Sequence, residues 1–547
     1  MVRSPLLDVW ETSLLGRLAA WFLAVWEASL LGRALSALGA FGARAFAGSV
    51  IGRLWYSDWP QAGDMGGLAG RLLGRLGRLV EAIGRAVGPW LRGLWETSVV
   101  VALAGRIARA VGGLLAGSHL WRLFWGYPDD VALAPAEAQD RPTSPVVYLL
   151  GLLLGLLPLV PHTMSGLSTA AMILGVWSLA GLALLLRFAR GDFEWRAPSA
   201  LLPLAFLLLI VAAAAVQSLA PAASLRNLVI WLTAGLLFWL VADQVRTSRD
   251  AAVLLGPVLA GAMLMTLWAL YQVVRPPQVE ESWVDPEQAG EVIRVFASMG
   301  NPNYLAEYMT LFLPPAIGLW LQNPRRQLPL ALPVAMMLLT LLLTGSRGGW
   351  LATAGGLGLF VLLRFRRWTV FLAFGALALI LMAPDAILAR LMSAFSLEDT
   401  SNLYRVNIWI GVLAMLRRYW VLGVGAGAEA FAKGYQDFML AAARAAHAHN
   451  VPLQIFAEMG IFGLVAVLWA LLAALRRPFV VGGDPRSSYI LAAVPCALTG
   501  LLVHGLVDYV WYNPKILFAF WALAGLGAGL AAGHRPDAGP APAPGPE

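Results

Sequence analysis

Between Val146 and Ala532 long apolar runs alternate with short polar breaks, and this pattern limits what the chain can become more than any other feature. Twelve runs can be marked out, at 146–162, 166–187, 200–219, 227–243, 251–274, 303–322, 328–344, 349–364, 368–386, 450–474, 488–508 and 514–532. A helix crosses the hydrocarbon layer with about 20 apolar residues and satisfies its own backbone there. The runs therefore predict an all-α integral membrane fold of about twelve transmembrane helices. Several runs are short or carry Pro and Gly, which membrane helices tolerate when neighbours satisfy the freed backbone groups. Composition agrees: 59% of residues are hydrophobic and 13% charged, with a mean hydropathy of +0.71. A soluble domain is nearer half apolar and a quarter charged. The single cysteine, Cys496, excludes an intramolecular disulfide and any cysteine-rich metal site.

Residues 1–127 read differently. Arginine recurs at Arg17, Arg33, Arg44, Arg53, Arg71, Arg75, Arg78 and Arg85, so no charge-free window reaches the length of a span. Apolar residues at Leu7, Trp10, Leu14, Leu18, Trp21 and Val25 keep helical spacing. A weak repeat links Trp10-Glu11-Thr12-Ser13-Leu14-Leu15-Gly16-Arg17 to Trp26-Glu27-Ala28-Ser29-Leu30-Leu31-Gly32-Arg33. The region is expected to form amphipathic helices, either interfacial or packed together on the cytoplasmic side. Charges interrupt the first apolar run, so a cleavable signal peptide is not expected. Residues 128–145 form a polar linker, and the Pro/Ala-rich tail 533–547 reads as disordered.

Arginine placement sets the orientation. With a cytoplasmic N-terminus, thirteen arginines fall in inside loops and only Arg226, Arg275, Arg294, Arg347 and Lys515 in short outside ones. That is the direction of the positive-inside rule. Both termini are then cytoplasmic, and residues 387–449 become one large extracytoplasmic loop. The net charge of +8 is explained by this topology. No basic-aromatic face accompanies it, so nucleic acid is not an expected partner.

Several polar groups gather on the outer face. Arg294 precedes Gly300-Asn301-Pro302-Asn303, Arg347 sits in Thr344-Gly345-Ser346-Arg347-Gly348, and Arg405 opens Arg-x-x-x-Trp, ending at Trp409. The stretch from His447 to Gly463 carries His447, His449 and Asn450 directly into an apolar helix, and Asp508 ends the eleventh run. Each alone could be a helix cap or a snorkelling arginine, and Asn450 in particular has the residue type of an N-cap. Gathered at one membrane face, they suggest a working site. Gly423-x-Gly425-x-Gly427 lacks the strand-helix context of a dinucleotide fingerprint and reads as a turn. Asp129 and Asp130 fall in the cytoplasmic linker. No outward carboxylate pair is evident, so no catalytic metal and no cofactor is expected.

The block from Arg294 to Asp508 resembles the O-antigen ligase and O-antigen polymerase superfamily of bacterial polytopic membrane glycosyltransferases. The resemblance lies in Gly300-Asn301-Pro302-Asn303, Thr-Gly-Ser-Arg-Gly, Arg-x-x-x-Trp and Gly-Val-Gly-x-Gly. Its most specific element is His449-Asn450, nine residues, Gly460, two residues and Gly463. The resemblance implies a metal-independent, inverting transfer on the outer face of the bacterial plasma membrane. The donor would be a glycan on undecaprenyl pyrophosphate, and the acceptor a hydroxyl of a lipid or other surface molecule. The residue types suit that chemistry. Guanidinium groups stabilise a leaving pyrophosphate through paired hydrogen bonds, and a histidine can accept the acceptor's proton near neutral pH. Arg347 and Arg405 are the expected pyrophosphate binders and His449 the expected base. Arg294, Asn301, Asn303, Asn450, His447 and Asp508 are expected to bind substrate or orient these groups. Glu458 is a further candidate of that kind. A glycan polymerase or a protein oligosaccharyltransferase would use the same donor, and these alternatives stay open. A transporter of anions or solutes is the reading from a different class. Against it, the polar residues do not continue through the spans and no inverted repeat is visible.

Overall fold

Side-chain caps and early prolines decide where most helices begin in the computed structural model. It describes residues 13–29, 67–97, 143–190, 200–276, 294–323, 327–371, 400–440 and 443–534, with a few isolated positions between them. Two helices precede the bundle, α1 (Leu14–Ala28) and α2 (Gly67–Thr97). The bundle continues with α3 (Pro145–Leu156), α4 (Ser165–Arg190), α5 (Leu201–Val216), α6 (Pro221–Gln244), α7 (Ser248–Val274) and α8 (Pro302–Gln322). After α9 (Gln327–Leu343) and α10 (Arg347–Arg364) come two helices of the large loop, α11 (Thr400–Tyr419) and α12 (Ala428–Tyr435). The last three are α13 (Val451–Gly482), α14 (Tyr489–His504) and α15 (Pro514–Gly533). Ser144, Asn301, Ser346, Asn450, Ser488 and Asn513 each accept a backbone N–H of the helix they open. Thr247 and Asp250 form a reciprocal capping box at α7.

The described residues are helical, with no strand among them. Helices occupy eleven of the twelve expected runs, and the ninth, 368–386, lies mostly outside the described residues. Among the described residues five helical segments are long and apolar enough to cross a membrane: His162–Ala189, Pro221–Gln244, Ser248–Val274, Val451–Gly482 and Pro514–Gly533. The helix of the eleventh run, α14, ends at His504, four residues before the expected boundary, which leaves Asp508 in the following turn. Most of the linker and of the tail also lies outside the described residues.

α15 is the central post, with its residues buried almost throughout. Glycine lets it approach α6: a Cβ at Gly525 would stand 2.4 Å from the Phe238 carbonyl, and one at Gly529 2.2 Å from that of Val245. Such small-residue stripes let membrane helices pack backbone to backbone. Trp231 and Trp511 pack edge to face, and Trp521 closes the same aromatic cluster. Helices α11 and α12 have their own small core, in which Ile408 and Val412 of α11 meet Phe431 and Tyr435 of α12 and Ala457 of α13. Helix α13 therefore belongs to both cores. The N-terminal helices touch the bundle: Arg92 donates to the Ala189 carbonyl at 2.9 Å, and Phe22 packs against Phe371 and Phe374. Leu79, Ile83 and Trp90 of α2 remain exposed.

Candidate functional site

The α11–α12 segment and the bundle meet where α13 breaks. Gly460 adopts φ +63°, a left-handed conformation that costs a Cβ-bearing residue about 1–2 kcal/mol. A Cβ there would also stand 2.0 Å from the Val421 carbonyl oxygen. The break frees carbonyls that would otherwise close the helix, and the glycine turn after α11 uses them. Val424 N–H donates to Ala457 O, Gly425 N–H to Glu458 O, and Ile461 N–H to Trp420 O. Gly423, Gly425 and Gly427 all have positive φ, and a Cβ at Gly423 would stand 2.3 Å from the Glu458 carbonyl oxygen. Gly423 and Gly425 of the Gly-x-Gly-x-Gly run and Gly460 after His-Asn thus serve one joint, which holds the loop against the start of α13.

At the head of that helix stands the histidine turn. Asn450 is the N-cap: its amide oxygen accepts Leu453 N–H at 2.8 Å and its nitrogen donates to Leu506 O at 2.7 Å. His449 precedes it with φ +46°, unusual for a residue other than glycine. Its Nδ1 lies 3.1 Å from Asp508 Oδ1, and a quarter of its side chain is exposed. The same Asp508 oxygen accepts Tyr509 N–H at 2.8 Å.

The other Asp508 oxygen reaches the second cluster. Asn303 Nδ2 donates to Asp508 Oδ2 at 3.0 Å. Asn303 Oδ1 accepts from Arg294 Nη2 at 3.2 Å and from Ser346 Oγ at 2.9 Å, so its amide is held with the nitrogen towards the carboxylate. Arg294 Nε also donates to Thr344 O at 3.1 Å. Asn301 caps α8 and accepts Asn303 N–H at 2.8 Å. Ser346 in turn caps α10, whose first residue is Arg347. Arg347 therefore stands at a helix N-terminus, a pole that favours anions. Gly348 leaves room for His504, whose Nε2 would lie 2.5 Å from any Cβ there.

Arg405 approaches from α11. Its Nη1 donates to Ser401 Oγ at 2.8 Å, while its Nε is buried without a partner. Its charge acts on Asp508. Burial works to raise the Asp508 carboxyl, but the hydrogen bond from His449 and the positive charge of Arg405 hold it well below the usual carboxylate range. Asp508 is an anion and can only accept, so in its bond with His449 the Nδ1 is the donor. His447 is pushed down to about 3, by burial first and then by its neighbour His449, so it is neutral. Its Nδ1 accepts His449 N–H at 3.3 Å, and its ring lies against Tyr512 and Tyr509.

The structure thus joins Arg294, Asn303, Asp508 and His449 in one hydrogen-bonded chain, sets Arg405 alongside, and ties Arg347 to it through Ser346. Asn301 and Asn450 hold backbone, and Glu458 is buried one helical turn beyond Gln454, from which it accepts a hydrogen bond at 2.6 Å. Sequence reasoning missed Ser346, which lay in a motif already marked but whose hydroxyl was not separated from the arginine beside it. It also missed Glu307, a buried carboxylate near Asp508, because an acidic residue inside an apolar run gives no sign of what it faces.

Among the described residues two groups have the donor types of a metal site, His447 with His449 and Asp508, and Glu307 with His504 and Asp508, their ligand atoms within 4.8 Å of one another. Asp508 is common to both. Its two oxygens already accept three N–H groups, and His447 Nδ1 is taken by a backbone N–H, so the first group has little left for an ion.

Residues 332–468 match the model of the O-Antigen ligase family. The matched stretch contains Arg347, Arg405 and His449, while Arg294, Asn303 and Asp508 lie outside it. No curated protein matches the chain.

Proposed function

From the premise that residues 332–468 place this chain in the O-antigen ligase and polymerase superfamily, we propose that it transfers a glycan from a polyprenyl pyrophosphate to a surface acceptor. The reaction centre lies on the outer face of the bacterial plasma membrane, and both termini are cytoplasmic. One observation carries this reading: the hydrogen-bonded chain Arg294–Asn303–Asp508–His449, which Arg405 and the Arg347 helix end adjoin. It combines an oriented imidazole with guanidinium groups, as the displacement of a pyrophosphate by a hydroxyl needs.

In this reading His449 Nε2 accepts the proton of the acceptor hydroxyl as its oxygen bonds to the anomeric carbon. The bond from that carbon to the pyrophosphate oxygen breaks from the opposite face, so the configuration inverts. The pyrophosphate leaves with the bonding electrons. Arg405 and Arg347 bind its growing charge through fixed N–H donors, and no metal ion is required. Asp508 stabilises the imidazolium and keeps the proton at Nδ1. Arg294 holds Asn303, and through it Asp508.

Reconstitution with undecaprenyl-pyrophosphate glycan and candidate acceptors, followed by mass analysis, tests the reading. Glycan joined to a non-glycan acceptor is the expected ligase product, and lengthened lipid-linked glycan would make the chain a polymerase. Solute flux without any glycan product would replace the reading with transport. Orientation is checked separately with a single cysteine at exposed Gln436 in a Cys496→Ser background. A membrane-impermeant reagent should label it in intact cells. Labelling only after permeabilisation would reverse the topology.

A further inference from the structure

His449 has a left-handed backbone, and side chains from its own turn and from α11 hold the peptide before it. We propose that Trp409 and His447 are positioning residues, which fix the peptide plane between Ala448 and His449 and so aim the His449 ring at Asp508. This inference rests on the reading of His449 as the base.

Both poles of that peptide are taken by side chains. The Ala448 carbonyl accepts Trp409 Nε1–H at 2.9 Å, and the His449 N–H donates to His447 Nδ1 at 3.3 Å. The preceding peptide is held as well: Ala448 N–H donates to Gln454 Oε1 at 2.6 Å, and Gln454 Nε2 donates to Glu458 Oε1 at 2.6 Å. Ala448, Gln454 and Glu458 are fully buried, so no solvent competes for these bonds. Rotation of the 448–449 plane is what would return His449 from φ +46° to the ordinary negative region. That rotation turns the Ala448 carbonyl away from Trp409 and swings the ring off the carboxylate. His447 suits its part because burial keeps it neutral, with Nδ1 free to accept.

The arrangement also gives the Arg-x-x-x-Trp spacing a purpose. Trp409 stands one helical turn after Arg405, on the same side of α11. One face of this helix thus brings the guanidinium to Asp508 and clamps the turn that carries the base. Docking of the loop and aiming of the histidine become a single event.

Trp409→Phe tests this, since it keeps the ring and removes only the N–H. With the melting temperature retained, turnover should fall about 10²-fold, as a small misplacement of a reacting group costs, and donor KM should stay unchanged. In a His449→Ala background the same change should cost nothing more, because nothing remains to aim. Acylation of His449 by diethyl pyrocarbonate, followed by mass spectrometry, reads the ring's release from Asp508 without any turnover, and it should speed up in Trp409→Phe. Should that variant fail to fold, Gln454→Met loosens the same turn from its other side and should give the same pattern. Wild-type turnover together with unchanged acylation, or an equal loss with and without His449, would overturn the inference. Wild-type turnover in His449→Ala alone would instead overturn the base reading, and the acylation rate would still judge whether Trp409 positions the ring.

Discussion

Asp508 Oδ1 accepts the Nδ1–H of His449 at 3.1 Å, although the two residues belong to turns at the ends of different helices, 59 positions apart. The pairing fixes one tautomer of the imidazole and leaves Nε2 as its basic atom. It also fixes which way the charge would help, since an imidazolium formed in the proposed transfer would face an anion that is already in place.

Asp508→Asn should therefore lower turnover about 10²–10⁴-fold, by removing both the anion and its preference for the reactive tautomer. The carboxyl also leaves a mark on stability. Its folded pKa lies below its unfolded one, so its stabilisation is complete above the unfolded value near 4 and is lost as pH falls through the folded value. Comparing wild type with Asp508→Asn across pH 7 to 3 should show a constant difference that shrinks only below about pH 4. A difference that already declines near pH 6 would assign the linkage to another group.

His447 has the opposite chemistry and gives a separate window. Folded, it takes a proton only at about 3; unfolded, it does so near 6.5. The unfolded state thus binds more protons throughout that interval, and stability falls as pH drops from about 6.5. Melting in detergent should show this slope in the wild type and a shallower one in His447→Gln. Equal slopes would mean that His447 is protonated in the folded protein.

Much of this fold is legible in the sequence, because apolar runs and arginine-bearing breaks report directly on burial in lipid. Eleven of the expected runs are helices. The site was legible as a set of motifs and opaque as a geometry. His449, Arg405 and Arg347 announce themselves as polar residues in apolar surroundings. Nothing in the one-dimensional pattern says that Asn303 turns its nitrogen to Asp508, or that Trp409 reaches the carbonyl before the histidine. Those contacts span 205 and 39 residues and depend on how the loop folds back. The apolar run ending at Asp508 hid a further fact: the helix stops at His504, and the aspartate belongs to a turn.

The break in α13 should be intolerant of any side chain. Gly460→Ala must bear about 1–2 kcal/mol for the left-handed backbone, and its methyl meets the Val421 carbonyl, so the loss should exceed that range. Gly355→Ala is the matched control, since a Cβ there meets nothing within 4 Å, and alanine in a helix gains about 0.5–1 kcal/mol over glycine. Thermal melts of both variants decide the matter. Equal stability would mean that the joint between loop and helix is looser than described.

Chelation should leave transfer intact, because the charge of the leaving pyrophosphate is assigned to Arg347 and Arg405. Extended treatment with EDTA, with turnover measured before and after, tests this. Loss of activity restored by Mg²⁺, Mn²⁺ or Zn²⁺ would transfer the role to an ion, and the Glu307, His504 and Asp508 group would be the first place to look for it. Arg405→Lys should then be mild, whereas the metal-free reading expects a large rate loss, since lysine keeps the charge but not the planar fork.

The sharpest test separates two neighbours in sequence. His449 and Asn450 both stand at the head of α13, yet their contacts differ. Asn450 uses its amide oxygen to cap the helix and its nitrogen to hold Leu506 O, so Asn450→Ala should cost about 1 kcal/mol or more of stability. Turnover per folded molecule should change far less. His449 makes no cap: its ring reaches Asp508 and is partly exposed, as a base that must meet a substrate has to be. His449→Ala should leave melting close to wild type while turnover falls about 10²–10⁴-fold. A folded His449→Ala protein with wild-type turnover would remove the histidine from the mechanism and leave the arginines as anion binders alone.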